Sequence, residues 1–139
     1  MADGYSLVPT TPPVADYVRL RAESGLSQKS EAQAAPALAG TWWGCHVVHD
    51  ATGEVVAMGR VIGDGGWYFH IADMATLPQH QRRGLGDLVM TALLDRIRAE
   101  APPTPYVTLM ADPPGRKLYA RHGFIEDRDR TIGMARWLG

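Results

Sequence analysis

Residues 73–86, Asp-Met-Ala-Thr-Leu-Pro-Gln-His-Gln-Arg-Arg-Gly-Leu-Gly, run from an apolar strand pattern into a basic, glycine-punctuated turn that opens an amphipathic helix. That layout suits a pyrophosphate. Gly84 and Gly86 let the backbone approach an anion closely, and the first-turn N–H groups of a helix have no intrahelical acceptor and sit at the positive end of its dipole. Arg82 and Arg83 add two side-chain charges. Other nucleotide cradles fail against the string. The phosphate loop of NTPases needs a Gly-Lys-Ser/Thr ending that is absent, and a dinucleotide fingerprint needs a third glycine where Val89 stands. Metal chemistry is not expected, because His46, His49, His70, His80 and His122 show no short ligand spacing beyond His46 and His49, which face opposite ways on a regular strand.

The chain has 139 residues and a formal net charge of −1, the length of one ordinary domain over residues 1–139, with no global charge to attract nucleic acid or a membrane surface. Its one cysteine, Cys45, excludes an internal disulfide and reads as a buried thiol in a reducing cytoplasm. Neither a leader nor a stretch long and apolar enough to span a bilayer is expected.

The elements that must hold the cradle follow from periodicity and turn signals. Strand patterns occupy 5–8, 42–49, 54–61 and 67–77, with turns at 50–53 and 64–66. A helix capped by Thr10 or Thr11 runs over Val14, Tyr17, Val18 and Arg21 to Gly25. A second, capped by Ser27, runs through the alanine-rich stretch to Pro36, and Gly40 closes the hairpin. From Leu85 the apolar positions Leu88, Val89, Ala92, Leu93 and Ile97 form one helical face, stopped by the prolines at 102, 103 and 105. A strand at 106–110, a short helix from Pro113 to Arg121 closed by Gly123, and two final strands at 124–126 and 131–138 complete the order β, αα, βββ, α, β, α, ββ. This predicts a mixed α/β sheet, mostly antiparallel, with one crossover.

The run Gln81-Arg82-Arg83-Gly84-Leu85-Gly86 at a strand-to-helix junction, followed by Leu118-Tyr119 and Gly123-Phe124, resembles the GCN5-related N-acetyltransferase (GNAT) family. The resemblance implies the GNAT fold, a central sheet split between two parallel strands and flanked by helices. It implies acetyl-CoA as cosubstrate, its pyrophosphate on Gln81, Arg82, Arg83, Gly84, Leu85 and Gly86 and its pantetheine arm along Met74, Ala75 and Thr76, where a bulge opens the strand edge. Asp112 stands seven residues before Tyr119, where the family often has asparagine. Tyr119 would then lie beside the cofactor's sulfur, a phenol of reference pKa about 10 able to protonate the leaving thiolate.

Acetyl transfer also needs a donor for the developing oxyanion, met by a backbone N–H near Met74 to Thr76, and a group that takes a proton from the amine. Asp73 and His70 are the candidates, Asp73 first because related acetyltransferases of glucosamine phosphate and arylalkylamines carry an acid there. The two lie three positions apart, so a bulge is needed to bring both to one side. A packing role for Tyr119 and a structural role for Asp73 are the competing readings, and His80, in the cofactor loop, is expected to touch solvent or phosphate. Tyr17, Arg21, Arg60, Trp67 and Tyr68 are the candidate acceptor walls. The two aromatic residues suit an apolar amine, and the arginines suit a phosphate or carboxylate. The expected activity is acetylation of a small-molecule primary amine, with a protein or peptide acceptor, or a non-catalytic acyl-CoA sensor, as alternatives. The apolar C-terminal edge at Met134, Ala135, Trp137 and Leu138 predicts a homodimer.

Overall fold

The computed structural model describes residues 2–139. They divide after Leu109 into two compact bodies.

The first body is one sheet of five strands in the order β1-β2-β3-β4-β5. The strands are β1 (Tyr5–Val8), β2 (Trp43–His49), β3 (Glu54–Gly63), β4 (Tyr68–Thr76) and β5 (Tyr106–Leu109). All neighbours are antiparallel except β4 and β5, which run parallel with Tyr68 opposite Tyr106 and Ile71 opposite Leu109. A parallel pair needs a crossover, and α3 (Leu85–Glu100) supplies it. Its buried stripe, Leu85, Val89, Met90, Leu93, Leu94 and Ile97, packs on β2, β3 and β4. Each such side chain contributes roughly 1.5–3 kcal/mol of transfer free energy, so α3 is the main anchor of that sheet face.

Two further helices, α1 (Val14–Glu23) and α2 (Glu31–Ala39), pack on one another, and α1 packs on β3 and β4. The cap of α2 is Ser30, not Ser27. Its hydroxyl accepts from the Gln33 N–H while the Gln33 side chain accepts from the Ser30 N–H, a reciprocal box that Ser27 has no glutamine to complete. The helix also runs through Pro36 to Ala39 before Gly40 ends it. No threonine caps α1, whose N-cap is Pro13. The β3–β4 turn is an Asx turn, in which one Asp64 carboxylate oxygen accepts from the N–H groups of Gly66, Trp67 and Tyr68. Backbone donors at 2.8–3.2 Å hold that carboxyl below its ordinary range.

The second body contains a single turn of 3-10 helix (Pro113–Gly115) and α4 (Arg116–Arg121). Beyond α4 the two expected strands do not form, and residues 124–139 carry no ladder. Most of their side chains, among them Ile132, Met134, Trp137 and Leu138, are exposed. Apolar content alone does not make a strand, since the conformation is stable only with a hydrogen-bonded neighbour. The dimer edge read from those strands is therefore not present as a strand in this chain. Among the described residues no helix is long and apolar enough to cross a membrane.

Candidate active site

The site is organised by a β-bulge. Met58 pairs with Ala75 and Arg60 with Ala72, so Asp73 and Met74 together oppose the single residue Gly59. Asp73 has φ +59°, a left-handed conformation that few residues other than glycine adopt and aspartate tolerates better than most. Gly59 accommodates the extra residue. A Cβ there would lie 2.6 Å from Met74 Sδ and 2.7 Å from Val89 Cγ1, so only glycine fits between the bulge and α3. The ladder to β5 stops at Ile71 and Leu109, which leaves Ala72–Thr76 paired on the β3 side alone. This is the split in the sheet, and Met74, Ala75 and Thr76 lie along it.

The bulge reverses the alternation and turns Asp73 to the face that carries Arg60, opposite α3. There the Asp73 carboxylate is enclosed. One oxygen accepts from Arg21 Nη1; the other accepts from Arg60 Nε at 2.5 Å and from the Tyr17 hydroxyl at 2.7 Å. The three charged side chains are only 8–12 % exposed. The guanidiniums are themselves tied down, Arg21 by the Ser27 carbonyl and hydroxyl and Arg60 by the Ala37 carbonyl and the Thr41 hydroxyl. Burial, and then the hydrogen bond to Asp73, push the Tyr17 phenol up. The structure thus brings Tyr17, Arg21, Arg60 and Asp73 together as a closed cluster that fastens β4 to β3, to α1, to the α1–α2 connection at Ser27 and to the C-terminal end of α2.

His70 lies on the same face, because Ile62, its partner on β3, alternates with Arg60. Its Nδ1 is 2.9 Å from the Thr108 hydroxyl, which in turn points at the Phe69 carbonyl at 3.5 Å. With Thr108 donating to that carbonyl, Nδ1–H donates to Thr108 and Nε2 keeps its lone pair. Burial first, and the Arg60 charge second, lower the His70 pKa, so the ring is neutral at neutral pH. Asp73 opposes that shift without reversing it.

At the far end of β4 the Gln81 side chain donates to the Thr76 carbonyl at 3.1 Å and ties the loop to the strand. Arg82 and Gly84 are both left-handed, with φ +62° and +80°. Gly84 is the N-cap of α3 and makes no side-chain cap, and the helix's first bond runs from Leu88 N–H to the Gly84 carbonyl. The N–H groups of Leu85 and Gly86 precede that bond, behind a loop of exposed residues 81–84 that includes both arginines. His80, expected to touch solvent or phosphate, has a side chain largely covered from solvent. Its Nδ1 is 2.7 Å from the Tyr5 hydroxyl and its ring lies against His49, because the Pro78–His80 turn folds it back over β1 and β2.

In the second body, Tyr119 and Asp112 flank the start of α4. The Leu-Tyr and Gly-Phe pairs prove to be one helix-ending device. Gly123, at φ +87°, donates to Ala120, Phe124 N–H donates to the Tyr119 carbonyl at 3.1 Å, and the two rings meet edge-on at 6.3 Å. Burial, with Asp112 adding to it, pushes the Tyr119 phenol up, so its proton is held through neutral pH.

Three features escaped the reading of the sequence: Thr108 as the His70 partner, Gly59 opposite the bulge, and Tyr106, whose ring joins those of Trp67 and Tyr68. Only Gly59, a glycine inside a strand pattern, carried a usable signal.

The model of the acetyltransferase (GNAT) domain matches residues 44–134. A protein of Pyropia yezoensis described as the uncharacterized N-acetyltransferase ycf52 is 34% identical over 85 residues, 61% of this chain and 48% of that protein. The chain thus spans about half the length of the curated relatives it matches. The crystal structure of SA2161 from meticillin-resistant Staphylococcus aureus, described as a probable acetyltransferase, is 32% identical with a TM-score of 0.88, over 96% of this chain and 99% of that one. Glucosamine-6-phosphate N-acetyltransferase from Arabidopsis thaliana shares the fold alone, at 14% identity and a TM-score of 0.73 over 96% and 99% of the two chains.

Proposed function

The chain belongs to the GNAT acetyltransferase family, and from that premise we propose that it moves an acetyl group from acetyl-CoA to the primary amine of a small molecule by direct attack on the thioester. The observation that carries this reading is the continuous path from the Asp73–Met74 bulge, along the unpaired edge Ala72–Thr76, to the exposed N-terminus of α3. Those residues fit the donor. The edge offers main-chain groups to pantetheine amides, and the left-handed Gly84, with nothing within 4 Å of where a Cβ would be, leaves the helix terminus and Arg82 and Arg83 open to a pyrophosphate. Acetyl-CoA bound there supplies a thioester carbonyl.

The chain's own groups do the rest. A backbone N–H of the bulge, outside the regular ladder, serves as the oxyanion donor. His70 takes the proton from the amine at Nε2, directly or through water, since the ring is neutral and its other nitrogen is fixed by Thr108. Asp73 is assigned a positioning role because three donors already engage its two oxygens. The family resemblance assigns the departing thiolate's proton to Tyr119, whose phenol keeps that proton through neutral pH. The lone buried thiol, Cys45, accords with a reducing cytoplasm. A homodimer rests on the apolar side chains of residues 131–138 alone, and sedimentation at micromolar concentration tests it.

The test is release of free thiol from acetyl-CoA against arylalkylamines, polyamines, amino sugars and their phosphates, amino acids and a lysine peptide, with Tyr119→Phe alongside. Burial pushes the Cys45 thiol up to about 12, so the protein's own sulfur stays silent to a thiol reagent. Turnover that collapses in the variant supports the reading. Tight acetyl-CoA binding without release on any amine identifies an acyl-CoA sensor instead, and turnover on the peptide alone identifies a protein acetyltransferase.

A further inference from the structure

Four large side chains of the first body lie together and uncovered. Trp67 is 55 % exposed, Tyr68 43 %, and Tyr106 and Ile62 41 % each. Trp67 stacks on Tyr106 at 5.1 Å between centroids with an 18° interplanar angle, and Tyr68 meets Tyr106 edge-on at 5.3 Å. The Asx turn at Asp64 and the bond from Tyr106 N–H to the Trp67 carbonyl at 2.8 Å hold the backbone beneath them. The platform is preformed. Uncovered aromatic clusters of this kind mark binding surfaces more often than they mark unfinished cores.

Its place on the sheet points to the occupant. Tyr68 opposes Tyr106, the next rung on the same face is His70 with Thr108 and Ile62, and the next is Ala72 with Arg60, beside the bulge. At about 3.3 Å per residue, Tyr68 lies roughly 13 Å from Ala72, with His70 midway. Charge narrows the choice. Arg21 and Arg60, the side chains suited to a phosphate or carboxylate on the acceptor, are both engaged by Asp73. The platform itself is uncharged, and the group at its root is the Asp64 carboxylate. The platform offers no cation to pair with an anion, so it favours an acceptor with an uncharged apolar body over one that carries a phosphate or carboxylate there.

We propose that Trp67, Tyr68 and Tyr106 select the acceptor, an amine whose aromatic or extended apolar body lies on these rings while its nitrogen reaches past His70 to the bulge. This rests on the acetyl-transfer reading and adds the acceptor class to it.

The experiment uses the full chain and phenylalkylamines whose linker grows from two to about six methylenes, the reach set by the strand rise. Phosphate-bearing amino sugars and amino acids serve as the anionic comparison. In the parent, KM falls as the linker lengthens, and the anionic amines are poorer acceptors. Trp67→Ala, which lies outside the strands, and Tyr106→Ala raise KM for the longest amine about tenfold with little change in kcat, and Trp67→Phe recovers most of the loss. Independently of turnover, NMR titration with phenylhexylamine shifts the ring protons of Tyr68 and Tyr106.

Turnover without ring shifts, or a preference for anionic amines, overturns the proposal while leaving acetyl transfer standing. Ring shifts without turnover on any amine do the reverse. Rings already shielded in a dimer that Trp67→Ala dissociates would assign the platform to a second copy and overturn the proposal.

Discussion

Replacing Asp73 by asparagine separates a proton-accepting role from a positioning one. Asparagine tolerates φ +59° and keeps an oxygen for the Tyr17 hydroxyl, so the substitution removes the charge and little else. It leaves two guanidiniums, 11 % and 12 % exposed, facing a neutral amide. Removing one partner of a buried ion pair costs about 3–5 kcal/mol. Arg21 keeps its bonds to Ser27 and Arg60 keeps those to Ala37 and Thr41, which brings the expected loss down to about 2–4 kcal/mol. For a chain of this size about 1 kcal/mol corresponds to roughly 4 °C, so thermal unfolding followed by far-UV circular dichroism should show Tm falling by about 8–16 °C. With the bulge less firmly held, kcat/KM should fall by about one to two orders of magnitude, as expected for a misplaced reacting group. Its acid limb should remain, because His70 is untouched. A Tm within about 4 °C of the parent refutes the clamp. A thousandfold loss of kcat together with an erased acid limb refutes the positioning role and returns Asp73 to the place of the base.

His70→Asn should lower kcat/KM by about 10²–10⁴ and abolish an acid limb whose midpoint lies below the ordinary histidine value of about 6.5. Because the fold favours the neutral ring, His70 contributes stability that is fully present above the unfolded pKa of about 6.5 and lost as pH falls through the lower folded value. The parent's Tm should therefore drop more than the variant's between pH 7 and 5, and equal drops would sink this account. Gly59→Ala, whose Cβ would meet Met74 Sδ at 2.6 Å and Val89 Cγ1 at 2.7 Å, should cost about 1–3 kcal/mol by denaturant unfolding. Met74→Ala in the same chain should recover part of it, since the sulfur is the movable neighbour; an additive pair of losses would show that the bulge is not the contact that matters. Arg82→Gln with Arg83→Gln should weaken acetyl-CoA about tenfold at low salt and flatten the salt dependence of its binding, without moving Tm. Calorimetry that shows unchanged affinity would remove both side chains from the cofactor site.

The strand-to-helix loop at Gln81 to Gly86, the turn at Asp64 and the Leu-Tyr to Gly-Phe ending of α4 were legible because each is made by residues within a few positions of one another. The bond from Phe124 N–H to the Tyr119 carbonyl spans five positions, and its glycine requirement is visible in any string. The α3 stripe was legible for the same reason, a period of 3.6 within one element. So was the order of the first five strands with their crossover, whereas the split in the sheet was implied by the family resemblance.

Roles on the shared face were not legible. Asp73 and Arg21 are 52 positions apart, and His70 and Thr108 are 38 apart. Composition shows that an acid, two arginines and a histidine are present, but only strand register decides which acid neutralises which base. One extra residue opposite Gly59 turns Asp73 toward both arginines. The C-terminal run failed as a strand in the opposite direction. Its apolar pattern is a local property, whereas a strand exists only with a neighbour, and none of the first body's ladders includes it. Local chemistry therefore identified the glycine-punctuated loop that opens α3, and the family. Long-range packing decided which of the candidate side chains remain free to meet a substrate.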